Sequence, residues 1–300
     1  MSKAGKTIFA VLIVLAGVVM FNYPTIATFV NHVFANREIE EYEQQIEEMD
    51  TTELEREMAL AHAYNDTLPR SFPADPFSGA NITDFTGTEF ESFDMVQPGG
   101  MIGYCEIPKI GVYLAVYYGT SDEVLGKALG LVENTSLPVG GSGSHAVISG
   151  HSGLASRKIL TDLNRLKEGD LFFVHVLDRH FAYEVDQIKV VLPDETKDLA
   201  IEKDRDLVTL LTCTPFGIND HRLLVRGTRV DYDFSVKPTE TAILSRDNPN
   251  RSKWIAAFTA AALFLLLVII KVIRDRRRDR REEEKQRKEQ RQCGGKENDS

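Results

Sequence analysis

Cys213 closes the strand-like run Thr209 to Cys213 (TLLTC), and Thr214, Pro215 and Phe216 follow it. An apolar strand ending in a thiol just before a Pro- and Gly-containing loop presents sulfur at a rim. A thiolate is a strong nucleophile. To transfer an acyl group it needs a proton-carrying neighbour and a donor for the charge that develops on the attacked carbonyl oxygen. His151, in HAVISGHSGL, lies just past another apolar run and between glycines, a place that reads as an exposed strand-end turn. Arg222 stands nine residues after Cys213 in RLLVRG, and a hairpin across that gap sets a guanidinium beside the thiol. The remaining candidates read as structural. Cys105 alternates within an apparent strand, Cys293 lies in the tail QCGGKENDS, His145 begins a strand, and His175 and His180 flank a strand turn. His221 adjoins Arg222, so on a strand it faces the opposite side. On spacing alone, a lone cysteine also reads as a small buried hydrophobe. Three scattered cysteines are too few for a disulfide scaffold or a four-cysteine zinc site, the carboxylate spacing gives no metal site, and no cofactor is expected.

The elements that must carry these residues are β-type. Between Met101 and Val230, the runs IGYCEI, VYLAVYY, HAVIS, LFFVHV, FAYEVDQIKVVL, LVTLLTC and RLLVRGTRV are β-branched and aromatic. Gly, Pro, Asp and Asn separate them, and few long helical patterns intervene, which predicts a closed or nearly closed barrel. Short helices are expected at Ser121–Lys127, capped by Ser121, and at Ser156–Leu163. Ahead of the barrel, Arg37 to His62 is free of Gly and Pro and reads as one or two helices, with Thr51 or Thr52 as N-cap of the second. Ile39, Tyr42 and Ile46, then Leu54, Met58 and Ala61, form a narrow apolar stripe able to dock. Residues 66–100 lack periodicity and read as a long loop carrying aromatic side chains.

Charge and hydropathy place this unit between two membrane segments. Of 300 residues, 43% are hydrophobic and 27% charged, which is ordinary globular composition, and the net charge of −10 argues against a nucleic-acid binder. That charge is segregated: +2 over residues 1–22, +4 over 271–300 and −16 between them. Thr7 to Phe21 is an apolar run of 15 residues preceded by Lys3 and Lys6; it reads as an uncleaved anchor, with a cleaved signal peptide as the alternative. Trp254 to Ile270 holds 17 residues without a charge, and RDRRRDRR follows closely. Basic flanks on both runs predict a two-pass protein with both termini cytoplasmic and the barrel outside the cell membrane. The expected division is 1–23 anchor, 24–65 helical extension, 66–100 loop, 101–232 barrel, 233–253 stalk, 254–273 membrane helix and 274–300 basic tail.

With these residues assembled, the chain resembles the sortases. The TLxTC signature is matched at Thr209, Leu210, Thr212 and Cys213, with SGH upstream and HRLLVRG downstream. IPKIGVYLAVYYGTSDEVLGKALG and TSLPVGGSGSHAVISGHSGL resemble the barrel of that family over about residues 70–231. The helical extension, the second apolar run and Asp75-Pro76-Phe77 in the loop resemble class C, the pilus-assembling sortases, whose lid carries an Asp-Pro-aromatic motif. The resemblance implies an eight-stranded barrel with Cys213 as nucleophile, His151 as acid and base, Arg222 as stabiliser, and Asp75 and Phe77 as a lid. It implies cleavage of an LPxTG-like sorting signal between Thr and Gly, a thioester, and transfer to an amine, a pilin lysine. Partners are then pilins or surface proteins bearing such signals. Two departures stand out: Ser152 where SGHRG is usual, and Asn134 where Gly is common before TSLP. Two other classes stay open, a cysteine hydrolase or wall-anchoring enzyme of the same surface and a non-enzymatic adhesin or receptor. An exposed Asp75–Arg222 pair contributes only ~0–1 kcal/mol, so the lid is expected to open readily.

Overall fold

The chain divides into two compact units, Pro24–Arg246 and Met1–Tyr23 with Asp247–Ser300. The computed structural model describes residues 34–69, 73–77, 85, 87–88, 90–153 and 159–235, together with isolated helical positions in the second unit such as Gly17 and Phe264. Apart from such isolated positions, both apolar runs lie outside the described residues, as do the tail thiol Cys293 and most of the stalk. Among the described residues, no helix is long and apolar enough to cross a membrane.

Eight strands close a barrel: β1 (Met101–Ile107), β2 (Val112–Tyr118), β3 (Leu129–Leu131), β4 (Ser144–Ser149), β5 (Leu171–Val176), β6 (Arg179–Val191), β7 (Asp206–Thr214) and β8 (His221–Val230). Their order around it is β1-β2-β3-β4-β7-β8-β6-β5. The pairs β2–β3 and β4–β7 are parallel and the rest antiparallel. Strand β3 is absent from the β-branched and aromatic runs of the sequence. It has three residues centred on Gly130, where a Cβ would come within 2.4 Å of the Gly119 carbonyl oxygen, so glycine lets two backbones pass. The interior is apolar, with Ile102, Val116, Ile148, Phe172 and Val225 fully buried.

Helix α1 runs over 34–48 and α2 over Thr51–Thr67. The N-cap of α2 is Asp50, whose carboxylate accepts from the Glu53 N–H, rather than Thr51 or Thr52. Asp and Thr are both favoured caps, and here the residue one step earlier has the extended backbone a cap requires. Ile39 and Tyr42 of α1 are buried on Tyr104, Ala115 and Tyr117 at the outer face of the barrel. The Tyr42 hydroxyl donates to the Ile102 carbonyl (3.0 Å) and accepts from the Leu177 N–H (2.8 Å). Asn65 of α2 clamps Leu137 from both sides, its amide donating to the carbonyl (3.0 Å) and its oxygen accepting from the N–H (2.7 Å). In the loop that follows, Phe85 and Phe90 pack edge-on against Tyr64, and Phe93 and Val96 are buried. That stretch therefore contributes to the core, and its Asp94–Val96 forms a turn of 3-10 helix.

Ser121 caps the short helix α3 (Asp122–Leu125), accepting from the Val124 N–H. Of the helix expected at Ser156–Leu163, residues 156–158 lie outside the described residues; the described part shows bends and turns over 159–162, then a 3-10 turn at Leu163–Arg165. Asn134, at one of the two departures from the family pattern, has φ +61°. That left-handed conformation favours glycine and, next to it, asparagine, which accounts for the exchange.

Candidate active site

Strand β7 delivers Cys213 to its C-terminal end, and β8 returns antiparallel so that Arg222 is its direct partner across the ladder. Residues directly opposite in such a pair project to the same face, so the guanidinium lies beside the sulfur. Strand β4 runs parallel to β7 with Ser149 level with Leu211, and the Gly150 N–H donates to the Leu211 carbonyl. His151, one residue on, arrives at the same end of the barrel as Cys213. Three separate parts of the chain thus converge on one rim. His221, paired with Thr214, instead bonds the exposed Asp220.

The other residues of the TLxTC run fix this rim. The Thr212 hydroxyl donates to the Gly150 carbonyl (2.7 Å), tying β7 to the residue before His151. Thr209 Oγ1 lies 2.7 Å from His145 Nε2, and His145 Nδ1 lies 2.8 Å from the Ala200 carbonyl oxygen. Burial pushes His145 down to about 4, so at neutral pH it is an uncharged brace between β4 and β7. Leu210 points into the core and is fully buried. Cys105 is fully buried on β1 and its thiol is pushed far up by burial, which leaves it inert.

The loop ahead of the barrel occupies the site. Asp75 receives both arms of Arg222, Nε to Oδ1 at 2.7 Å and a terminal nitrogen to Oδ2 at 2.8 Å. The Phe77 ring packs between His151, 5.5 Å away between centroids, and the Arg222 guanidinium, 5.1 Å from its centroid. The expected exposed pair is in fact buried: the side chains of Arg222 and Asp75 are only 10% and 9% accessible. A paired, charge-assisted fork of this kind is roughly twice as strong as neutral hydrogen bonds, so the surface-pair figure does not describe it. Arg222 also donates to the carbonyls of Asn219 and His221, which holds it in place.

The electrostatics follow from that enclosure. Burial raises the Cys213 thiol above its ordinary value, Arg222 works against this, and the Asp75 carboxylate adds to it. Burial likewise lowers His151, opposed by the Asp122 carboxylate on α3. The pair as found is biased toward neutral thiol and neutral imidazole. Sequence reasoning did not reach Asp122; its only sequence signal is its place in the first turn of the Ser121-capped helix.

A thiol, an imidazole and a guanidinium gathered on the rim of a closed eight-stranded barrel define a barrel-borne thiol site suited to acyl transfer. The family model for the sortase domain matches residues 105–230. Among solved structures, sortase C of Streptococcus pneumoniae is 42% identical with a TM-score of 0.59, covering 65% of this chain and 97% of that one. Sortase C2 of pilus island 1 from Group B Streptococcus is 43% identical with a TM-score of 0.55, covering 61% and 100%. Sortase C-1 from Actinomyces oris is 40% identical with a TM-score of 0.55, covering 60% and 99%. Sortase D of Bacillus subtilis is 28% identical over 137 residues, 45% of this chain, which spans 66% of that relative's length. The chain belongs to the sortase family, and the solved structures described here as its neighbours are class C sortases.

Proposed function

We propose that this chain is a cysteine transpeptidase that joins pilin subunits at the cell surface. The observation that carries the reading is the convergence of Cys213, His151 and Arg222 on one rim, with Asp75-Pro76-Phe77 seated over it. Cys213 attacks the Thr–Gly carbonyl of an LPxTG-like sorting signal and forms a thioester. His151 takes the thiol proton as Cys213 attacks, gives it to the leaving glycine amine, later takes one from the entering amine and returns it to the released Cys213 sulfur. Arg222, once released by Asp75, donates to the carbonyl oxygen, a contribution of a few kcal/mol by analogy with other oxyanion donors. Asp75 and Phe77 act as a lid whose departure precedes binding of the signal. The acceptor is a pilin lysine. The two apolar runs with basic flanks support anchoring at both ends, with the barrel outside and the termini in the cytoplasm.

The test is incubation of the protein with an LPxTG peptide, with and without a lysine-bearing acceptor. A peptide–acceptor conjugate that disappears in Cys213→Ala supports transpeptidation. Hydrolysis alone, unaffected by the acceptor, makes the chain a hydrolase. No reaction, with peptide binding retained, makes it a receptor.

A further inference from the structure

Away from Cys213, a cluster of titratable side chains fills the junction of α1, β1, the β5–β6 hairpin and the chain leaving β8. His175 and His180 are direct partners across the hairpin, with their Nδ1 atoms 2.7 Å apart. So short a contact holds one proton between two nitrogens, one ring donating and the other accepting. The second nitrogen of His175, Nε2, lies 3.8 Å from Glu106 Oε2. Among the described residues, that Nε2 and Glu106 Oε1 have no hydrogen-bond partner, although each residue is only 7% accessible. Buried polar atoms left in this way are rare and call for an explanation.

The surroundings are specific. On β1, Tyr104 stacks on His175 at 4.4 Å, and its hydroxyl donates to Glu43 of α1 at 2.6 Å. Tyr113 of β2 packs on Tyr104, and Asp178, paired with Arg179, stands at the hairpin turn. Phe234, four residues beyond β8, closes the last side. Its ring centroid is 5.5 Å from His180, 6.1 Å from His175 and 5.6 Å from Phe173. Among the described residues, no three His, Cys, Asp or Glu side chains are disposed to hold a metal ion. The species that fits the cluster is a proton.

We propose that His175, His180 and Glu106 form an acid-released clasp that holds the chain leaving β8, through Phe234, against the barrel at neutral pH. In the neutral pair the His180 Nδ1–H donates to His175 Nδ1, and the His175 Nε2–H faces Glu106. A first proton enters at His180 Nε2 and leaves this bond intact, with the Glu106 carboxylate offsetting the charge. A second proton can enter only at His175 Nδ1, the accepting atom. Two N–H groups then meet at 2.7 Å and two like charges share one carboxylate, so the bond is lost, a ring turns out and Phe234 loses its seat. His180, exposed on its outer side, is held below the ordinary imidazole value by burial and then by His175, against the pull of Glu43 and Asp178, so the cluster resists even the first proton. A histidine lowered in the folded state supports that state at neutral pH, and the support is lost as pH falls.

The test is hydrogen exchange of the full chain in mild detergent, read as protection factors of the 232–235 amides between pH 7.5 and 5.0. In the wild type, protection falls at least tenfold toward pH 5.0 while amides of β7 and β8 keep theirs. In His180→Asn, which keeps a donor near the Nδ1 position and cannot titrate, protection changes less than twofold. In Glu106→Gln, which removes the offsetting charge, release moves to higher pH, and this decides the matter where His180→Asn does not fold. Flat protection in the wild type, loss in step with the barrel strands, an undiminished fall in His180→Asn, or no shift in Glu106→Gln each overturns the clasp.

Discussion

The Asp75 carboxylate does two things to Cys213 at once: it adds negative charge near the sulfur and it occupies the guanidinium that would otherwise favour the thiolate. Asp75→Ala removes both effects. The pH midpoint for alkylation of Cys213 is therefore expected to move down in that variant, and an unchanged midpoint would show that burial alone sets the thiol. Asp75→Ala with Phe77→Ala removes both anchors and should raise the alkylation rate by a bulky reagent several-fold at equal fold stability; equal rates would return the loop to plain linker. Cys213→Ala should abolish thioester formation while Cys105→Ala leaves it intact, as read by mass spectrometry of the trapped acyl-enzyme. These residues were legible because chemistry confines them: a thiol at a strand end, a glycine-flanked imidazole, an arginine within hairpin reach. What was not legible was the burial of the Asp75–Arg222 pair. It joins residues 147 apart in sequence, and no local pattern records how deeply a loop will settle.

At the scale of elements, the seven β-branched and aromatic runs all became strands, and β4 and β7, covered on both faces, are buried along nearly their whole length. Strand β3 escaped notice because three residues around a glycine hold no period, and its place is set by tertiary approach instead. The aromatic residues of 66–100 were visible, but their packing on Tyr64 and Tyr118 depends on where α2 docks. Asn65 contributes to that docking beside the buried Ala61 and Tyr64. Asn65→Ala leaves the Leu137 N–H without its partner and takes one of two donors from the carbonyl, which keeps the Val139 N–H, and a loss of about 1–3 kcal/mol is expected in denaturant unfolding. At Asn134, replacement by Gly should be nearly neutral, whereas Val should cost about 1–2 kcal/mol, because the backbone there is left-handed. Equal stability of the two variants would mean that the loop adopts another conformation in solution.

For the whole molecule, a middle stretch of net charge −16 lies between ends of net +2 and +4. A reporter active only in the cytoplasm, fused after Ser300, should be active, and one active only outside the cell should be silent; the reverse result would invert the topology. N-terminal sequencing decides whether the first run is retained, a start at Asn36 marking its removal.

The strand order has a consequence in time. Strand β8 is the last to be synthesised, yet it lies between β7 and β6 and pairs with both. Until it emerges the sheet cannot close, and the guanidinium that faces Cys213 does not exist in the growing chain. Asp75 and Phe77, by contrast, are made well before the thiol they cover. A nascent or prematurely terminated chain ending before β8 carries the cysteine without the means to use it. Competence therefore arrives in one step once β8 has emerged, with the occluding loop already made.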